Sequence, residues 1–399
     1  MEINACGHVA LPSPIRMCPN LVGTEDKPFV ALLTGVGVEY DVCCGECDPP
    51  AELQTVCEGC VERVTIGLFE LTAWRGEPEI RRRPEPVDTA VRRTPLGLSP
   101  IDFAPLPDGR WLLLLDSPYR LVPFDPTDGS KGQAIDVPLA AEEATKSSWG
   151  TVGAALHVSP DGRFAVVAHD HGNTGAAVDL ETGEVTVEFH RHKYHNNTTR
   201  YPIAFAALDG RQVLCHATSW SEVAWVDPAT GEPHGTTQPS EQIFHGRLAV
   251  SPTGRWIAAD GWVWSPVGRP AVWDLRDLSD TKLLCQRWYY WGKGMCWVGD
   301  DLLALSGIGP DDEIMLDGVR VFDAVSGNEV TAFAGPRGTF FADDRRLYSV
   351  TEEGVEIWDP ATGDHTGSVP GFVPTRQRDG ELAAVVDGVL ITWKTISKS

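Results

Sequence analysis

Five of the ten cysteines in the chain crowd into one stretch, DVCCGECDPPAELQTVCEGC, residues 41–60. Within it Cys44-x2-Cys47 and Cys57-x2-Cys60 form two knuckles separated by nine residues. Two residues between cysteines let a tight turn present both sulfurs to one ion, and Gly45 and Gly59 sit where that turn is sharpest. Four thiolates at about 2.3 Å complete a closed tetrahedral zinc shell, which is structural because it keeps no open position for substrate. Two other sulfur chemistries compete. A thioredoxin-like redox role calls for one such pair in a βαβ setting, and that setting is missing. Disulfides belong to oxidising compartments. The N-terminus, MEINACGHVALPSPIRMCPN, has neither the basic flank nor the apolar stretch of a signal peptide, so a cytoplasmic location and reduced thiols are expected. Metal is therefore the expected use of these cysteines.

Upstream lie Cys6, His8 and Cys18, and Cys43 adjoins the first knuckle. With Cys44, Cys47, Cys57 and Cys60 they make seven cysteines and one histidine, the number that two zinc ions require. The opening ACGHVALPSPIRMCP is similar to those of zinc-ribbon and RING-like, cross-braced modules, over residues 1–60. The resemblance implies a metal-built N-terminal module, and in its RING-like form an adaptor for modifier transfer. The chain departs from the pattern in having Cys6-Gly7-His8 for a C-x2-C and no second ligand soon after Cys18. One zinc is expected on the knuckles, and the full set would serve two. A segment whose aromatic residues are Phe29 and Tyr40 alone has little to build a core from. Metal binding would then supply its folding free energy. Cys215, Cys285 and Cys296 lie in strand-like runs and read as small buried apolar residues.

The elements that follow are repetitive. An apolar stretch, a turn with Asp and Gly, a second apolar stretch, a loop and a third stretch ending in Asp recur along residues 101–129, 154–189, 203–235, 247–279, 295–333 and 339–368. A truncated copy occupies 376–393. The third-strand aspartates Asp125, Asp179, Asp227, Asp274, Asp323 and Asp359 are 54, 48, 47, 49 and 36 residues apart, near the period of four-stranded propeller blades. Turns such as SPDG, followed by IWDPATGD, resemble WD40-type and related β-propeller repeats over about 300 residues. Trp-Asp occurs at Trp273-Asp274 and Trp358-Asp359, while the Gly-His dipeptide of the WD40 pattern does not precede each copy.

The expected fold is all-β: a seven-bladed propeller of four-stranded antiparallel blades behind a small zinc-binding domain. Its parts are a zinc module at 1–62, a closing strand and Arg/Pro-rich linker at 63–97, and the propeller at 98–399. The last copy ends after its third strand, and a ring leaves no edge open. An N-terminal strand is expected to complete that blade, either RVTIGLFELTAW at 63–74 or part of 86–93.

Strands alternate in direction, so the plain SPDG and DPATGE turns share one face while second–third and blade-to-blade loops share the other. That second face collects His169, His171 and His192, Trp220, Trp262 and Trp264, and the run Trp288, Tyr289, Tyr290 and Trp291. Aromatic and His-rich loops of this kind suit a protein partner. The alternative is a metal-dependent enzyme using the histidines of the second and third copies. Arg191 and Lys193 beside His192 oppose a cation there, and no nucleophile elbow, P-loop or complete dinucleotide fingerprint occurs. Basic residues number 33 against 56 acidic, a net charge of −23, which disfavours nucleic acid and anionic membrane. The Arg81–Arg83 run reads as part of a solvated linker. The expected function is a non-catalytic interaction scaffold, with the loop face binding one protein and the zinc module orienting a second.

Overall fold

The computed structural model describes residues 12–22, 29–33, 40–44, 53–57, 72–74, 79–116, 118–143, 145–208, 210–236, 243–264 and 266–395. Among these are eight four-stranded antiparallel sheets and one five-stranded sheet. Seven of the four-stranded sheets follow one another along the chain, opening with the strands Asp102–Pro105, Gly153–Val158, Ile203–Leu208, Leu248–Val250, Met295–Val298, Thr339–Ala342 and Arg376–Arg378. Each apolar face is covered by the next sheet. One cluster joins Leu112 and Leu121 of the first sheet to Val167 and Val178 of the second. The series continues through Phe164 with Phe205, Trp225 with Trp273, Trp256 with Phe322, Val321 with Phe340, and Tyr348 with Trp393. A final cluster returns from Ala383 and Leu390 of the last sheet to Phe103 and Trp111 of the first. The fold is therefore that of a β-propeller, in which burial closes on itself.

The repeated aspartates have a local cause. The carboxylates of Asp125, Asp179, Asp227, Asp274, Asp323 and Asp359 each accept backbone N–H groups two or three residues on, as in Asp227 with Ala229 at 2.7 Å. This Asx turn starts the hairpin between third and fourth strands. In five of the six it ends on a glycine four residues later; Gly183, with φ 76°, donates its N–H to the Asp179 carbonyl at 2.8 Å. After Asp274 that glycine is missing and the strands pair at once, Asp274 opposite Asp277.

The closing strand is Arg92–Pro95, paired antiparallel with Val389–Lys394 so that Thr94 lies opposite Leu390. It overlaps the 86–93 expectation and corrects the 63–74 one. Thr72–Trp74 instead pairs parallel with Phe29–Leu33, and residues 63–71 lie outside the described set. An outermost strand is wetted on both sides, so Arg92 and Arg93 are exposed and no apolar alternation marks it. What fixes it is the chain that follows. Leu96 is fully buried in the last-to-first cluster, only a few residues before the first sheet begins.

The arginine run is not a free linker either. Arg81 and Arg83 exchange backbone hydrogen bonds with His365, Glu85 donates to the Thr366 carbonyl, and the Trp393 indole donates to the Asp88 carbonyl at 2.6 Å. Asp364 accepts ion pairs from Arg81 at 3.3 Å and Arg83 at 3.2 Å. Residues 81–88 therefore lie docked along the sixth sheet.

Closure is also clasped by charge. Arg376, in the last sheet, grips both carboxylate oxygens of Asp102 and donates to the Phe103 carbonyl at 2.7 Å. Asp102 also accepts the N–H of Leu156, in the second sheet, at 2.8 Å. One carboxylate thus joins three consecutive sheets. Asp102→Ala leaves a partly buried guanidinium without its counter-charge and an N–H without its acceptor, and should lower unfolding free energy by about 2–4 kcal/mol. Urea denaturation of the variant measures this; a loss under half a kcal/mol would remove the clasp from the account.

Candidate functional site

The eighth four-stranded sheet is small and comes from four separate pieces: Ile243–Phe244, Trp262–Val263, Val267–Gly268 and Arg287–Trp288. The middle pair is the second–third loop of the fourth sheet, and the outer two are blade-to-blade segments before and after it. All lie on the face expected to carry the variable loops. Val267 pairs with Trp288 and Gly268 with Arg287. A Cβ at Gly268 would stand 2.1 Å from the Tyr290 carbonyl oxygen, so glycine lets the two segments meet.

On this sheet stands a continuous ladder of rings. Trp149 stacks on Trp291 at 4.1 Å, Trp291 on Trp262 at 5.1 Å, Trp262 on Phe244 at 4.2 Å, and Phe244 leans on Trp220 at 4.6 Å. Tyr194 and His195 cross the far end edge-on, and His195 meets Trp264 at 5.3 Å. Trp262 and Trp291 are buried, whereas Trp149 is 41%, Tyr194 53% and Trp264 66% exposed. Buried rungs hold exposed ones, which spares the exposed rings much of the side-chain entropy that docking a partner would cost.

Two buried cations fix the ladder. Arg191 is 3% exposed and donates to the carbonyls of Gly172, Asn196, Thr199 and Arg200 and to the Thr199 hydroxyl, at 2.8–3.1 Å. It thereby shapes the loop in which Thr198 accepts two indole N–H groups, Trp262 on its hydroxyl at 3.0 Å and Trp291 on its carbonyl at 3.1 Å. Burial pulls the Arg191 pKa down to about 10, and among the described residues no carboxylate pairs with it at hydrogen-bond distance. Arg287 donates to the Ser306 carbonyl at 2.7 Å and stands 3.6 Å from Asp260. Asp260 in turn accepts the N–H groups of Gly292 and Lys293, anchoring the segment that carries Trp291. Burial raises the Asp260 pKa, with Arg287 opposing.

The expected site residues separate into three groups. Trp220, Trp262, Trp264 and Trp291 share the ladder. Trp288 and Tyr289 are exposed beside it, and Tyr290 is half-buried under the Arg287 guanidinium at 5.0 Å. The histidines do not converge. His169 is buried with its ring nitrogens 3.0 Å from the Tyr119 hydroxyl and 3.0 Å from the Thr174 hydroxyl, and burial lowers its pKa. His171 lies 3.0 Å from the Asn197 carbonyl, and His192 is exposed. Among the described residues no three His, Cys, Asp or Glu side chains form a metal set. Trp149, Tyr194 and Phe244 belong to the ladder without having been singled out, and His195 belongs to it as a ring where the alternative enzyme reading would make it a metal ligand. Tyr194 and His195 sit in the HRHKYHNNTTR run, but Trp149 and Phe244 are isolated in sequence and carry no signal of their own.

Of the cysteine set, Cys6, His8, Cys47 and Cys60 lie outside the described residues. Cys43, Cys44 and Cys57 lie in the five-stranded sheet, ordered Gln54–Cys57, Pro12–Met17, Tyr40–Cys44, Phe29–Leu33, Thr72–Trp74, and Cys18 directly follows the strand Pro12–Met17. Cys18 is buried and its N–H donates to the Val42 carbonyl at 2.9 Å, which sets Cys43 and Cys44 level with it. Cys57 stands at the other end of the strand Pro12–Met17, opposite Pro12.

No protein family and no curated protein matches the sequence. Among solved structures, a chain from the crystal structure of a mitotic checkpoint complex superposes with a TM-score of 0.52 at 17% identity, over 83% of this chain and 98% of that one. Since 1261 solved chains match, the likeness identifies an architecture and leaves function to the site.

Arg191→Ala should release the ladder loop, costing about 3 kcal/mol or more of stability and much of the near-ultraviolet tryptophan dichroism. Arg191→Lys should rescue little, because an ammonium cannot reproduce the fork of donors. Unchanged dichroism in both would contradict the assignment. His245, next to Phe244, is fully buried and its pKa is pushed down to about 4. The unfolded chain binds its proton near pH 6.5. This group's share of stability is therefore complete above that value and lost as pH falls toward 4, at up to about 1.4 kcal/mol per pH unit. His245→Asn should flatten the urea-measured stability slope between pH 6.5 and 4.5 by about that amount; an unaltered slope would refute it.

Proposed function

We propose that this chain is a non-catalytic interaction scaffold: a seven-bladed propeller over 98–399, the eighth sheet being an insertion of its fourth blade, whose loop face docks a protein partner. The observation that carries this reading is the exposed rim of Tyr194, Trp264 and Trp149 standing on buried rungs, with Trp288 and Tyr289 at its side. Such rigid amphipathic rings are what binding hot spots use. A chain of the same fold sits in a checkpoint complex, which is in keeping with an assembly role. No helix among the described residues is long and apolar enough to cross a membrane. A reducing, cytoplasmic setting suits the thiols of the N-terminal module.

That module, residues 1–62, would hold structural zinc and orient a second partner. Two ions fit it better than one. Cys44 and Cys57 flank opposite ends of the strand Pro12–Met17, on the order of 15 Å of backbone apart at about 3.3 Å per residue. One ion with Zn–S bonds of about 2.3 Å cannot span that. This favours one ion on the knuckle that begins at Cys44 and another on the knuckle that begins at Cys57.

Affinity capture from the native host, with the bound proteins identified, tests the docking face. Trp264→Ala with Tyr194→Ala should abolish retention of at least one protein held by the wild type, with a melting temperature within about 2 °C of it. Identical capture by both would sink the reading. Elemental analysis should find two zinc ions per chain, with Cys44→Ser and Cys57→Ser each removing one. A single ion lost in either variant would restore the one-site pairing, and none would end the zinc proposal.

A further inference from the structure

The ring encloses a channel of about 1310 Å³ lined by residues of all seven consecutive sheets. In a chain of net charge −23, an acidic or neutral lining would be the default. Instead six Arg and Lys residues line it against four acidic ones, Asp170, Asp260, Asp317 and Glu352, and His157, Arg200, Arg247 and Arg376 act on one another across it. Two of the guanidiniums are paired. Arg376 is clasped by Asp102, and Arg200 stands 3.9 Å from Asp170. Arg247 differs. Among the described residues its side chain has no hydrogen-bond or ion-pair partner within reach. The carboxylate that acts on it, Asp260, accepts the N–H groups of Gly292 and Lys293 on Oδ2 and holds Oδ1 3.6 Å from Arg287.

This arrangement is unfavourable as it stands. Burial lowers the pKa of Arg247, and Arg200 and Arg376 repel it further. His157 feels the same three guanidiniums, and burial with their field pushes its pKa down to about 3, so it stays neutral and adds a ring N–H donor. Like charges gathered in a confined, partly dehydrated space, with one of them unpaired, destabilise a fold unless a counter-charge arrives. A fork of donors pointing into a channel matches the two oxygens of a phosphate or carboxylate.

We propose that the channel is an oxyanion site, in which Arg247 grips a phosphate or carboxylate group of a small molecule while Arg200, Arg376 and His157 supply the surrounding field. Trp291 lines the channel as well as the ladder, so the two sites adjoin, but the oxyanion site rests on the basic groups of the channel and not on the docking reading. Calorimetric titration of the full chain with pyrophosphate and, in a second arm, with citrate, at constant ionic strength, tests it. One saturable site per chain is expected for at least one of the two, the arm that binds identifying the group as phosphate or carboxylate. Arg247→Gln should weaken it at least tenfold, and Arg247→Lys, which keeps the charge but not the fork, by less. A second readout separates ligand binding from a structural role. Without added anion, Arg247→Gln should melt at or above the wild-type temperature, because a repulsive charge has gone. No saturable binding of either anion, equal affinity in wild type and Arg247→Gln, or a lower melting temperature for the anion-free variant would each overturn the proposal.

Discussion

Circular burial is the constraint on which everything else rests. No sheet in the ring covers its own apolar faces; each is covered by its two neighbours, and Trp111, Trp225, Trp256, Trp273 and Trp393 fill the wedges between them. Such an arrangement is stable only if the last sheet meets the first. The chain secures that meeting twice, by a strand borrowed from residues 92–95 and by the Arg376–Asp102 clasp. Remove the closure and two large apolar faces return to water, at roughly 25 cal/mol for each Å² exposed.

A closed ring then makes two sites that no single blade contains. Neighbouring blade-to-blade loops come close enough on one face for the pieces around the fourth sheet to pair, and their rings stack into a ladder. At the axis the first strands face one another across a channel, bringing Arg200, Arg247 and Arg376 together from blades far apart in sequence. The two sites have opposite characters. The ladder is rigid, amphipathic and satisfied, its indole N–H groups held by Thr198. The channel is charged, and among the described residues Arg247 forms no ion pair in it. A scaffold for a protein needs the first, and a receptor for a small anion needs the second.

How much of this could be read beforehand follows the physics of each signal. The Asp turns were legible because one local motif, a carboxylate capping backbone N–H groups, is repeated at six positions. That the aromatic loops share one face follows from strand alternation. The closing strand was legible only as a necessity: Arg92–Pro95 is solvated on both sides, and burial writes no pattern there. Arg191 looked like a solvent charge opposing a metal, since nothing in a sequence tells an arginine that donates five hydrogen bonds inward from one that faces water. Trp149 meets Trp291, 142 positions later, only because the ring brings their loops together. Cysteine spacing gave the expectation of metal, while the strand register that sets Cys44 apart from Cys57 belongs to the backbone.

The central claim, closure by a borrowed strand, is tested most directly by where the chain may begin. Two shortened proteins, starting at residue 79 and at residue 97, differ by the docked segment and the closing strand. Unfolding in urea, followed by tryptophan fluorescence alongside light scattering, should show the longer one monomeric with a single cooperative transition. The shorter should associate or lose most of its stability. Two monomers with the same midpoint would contradict the account.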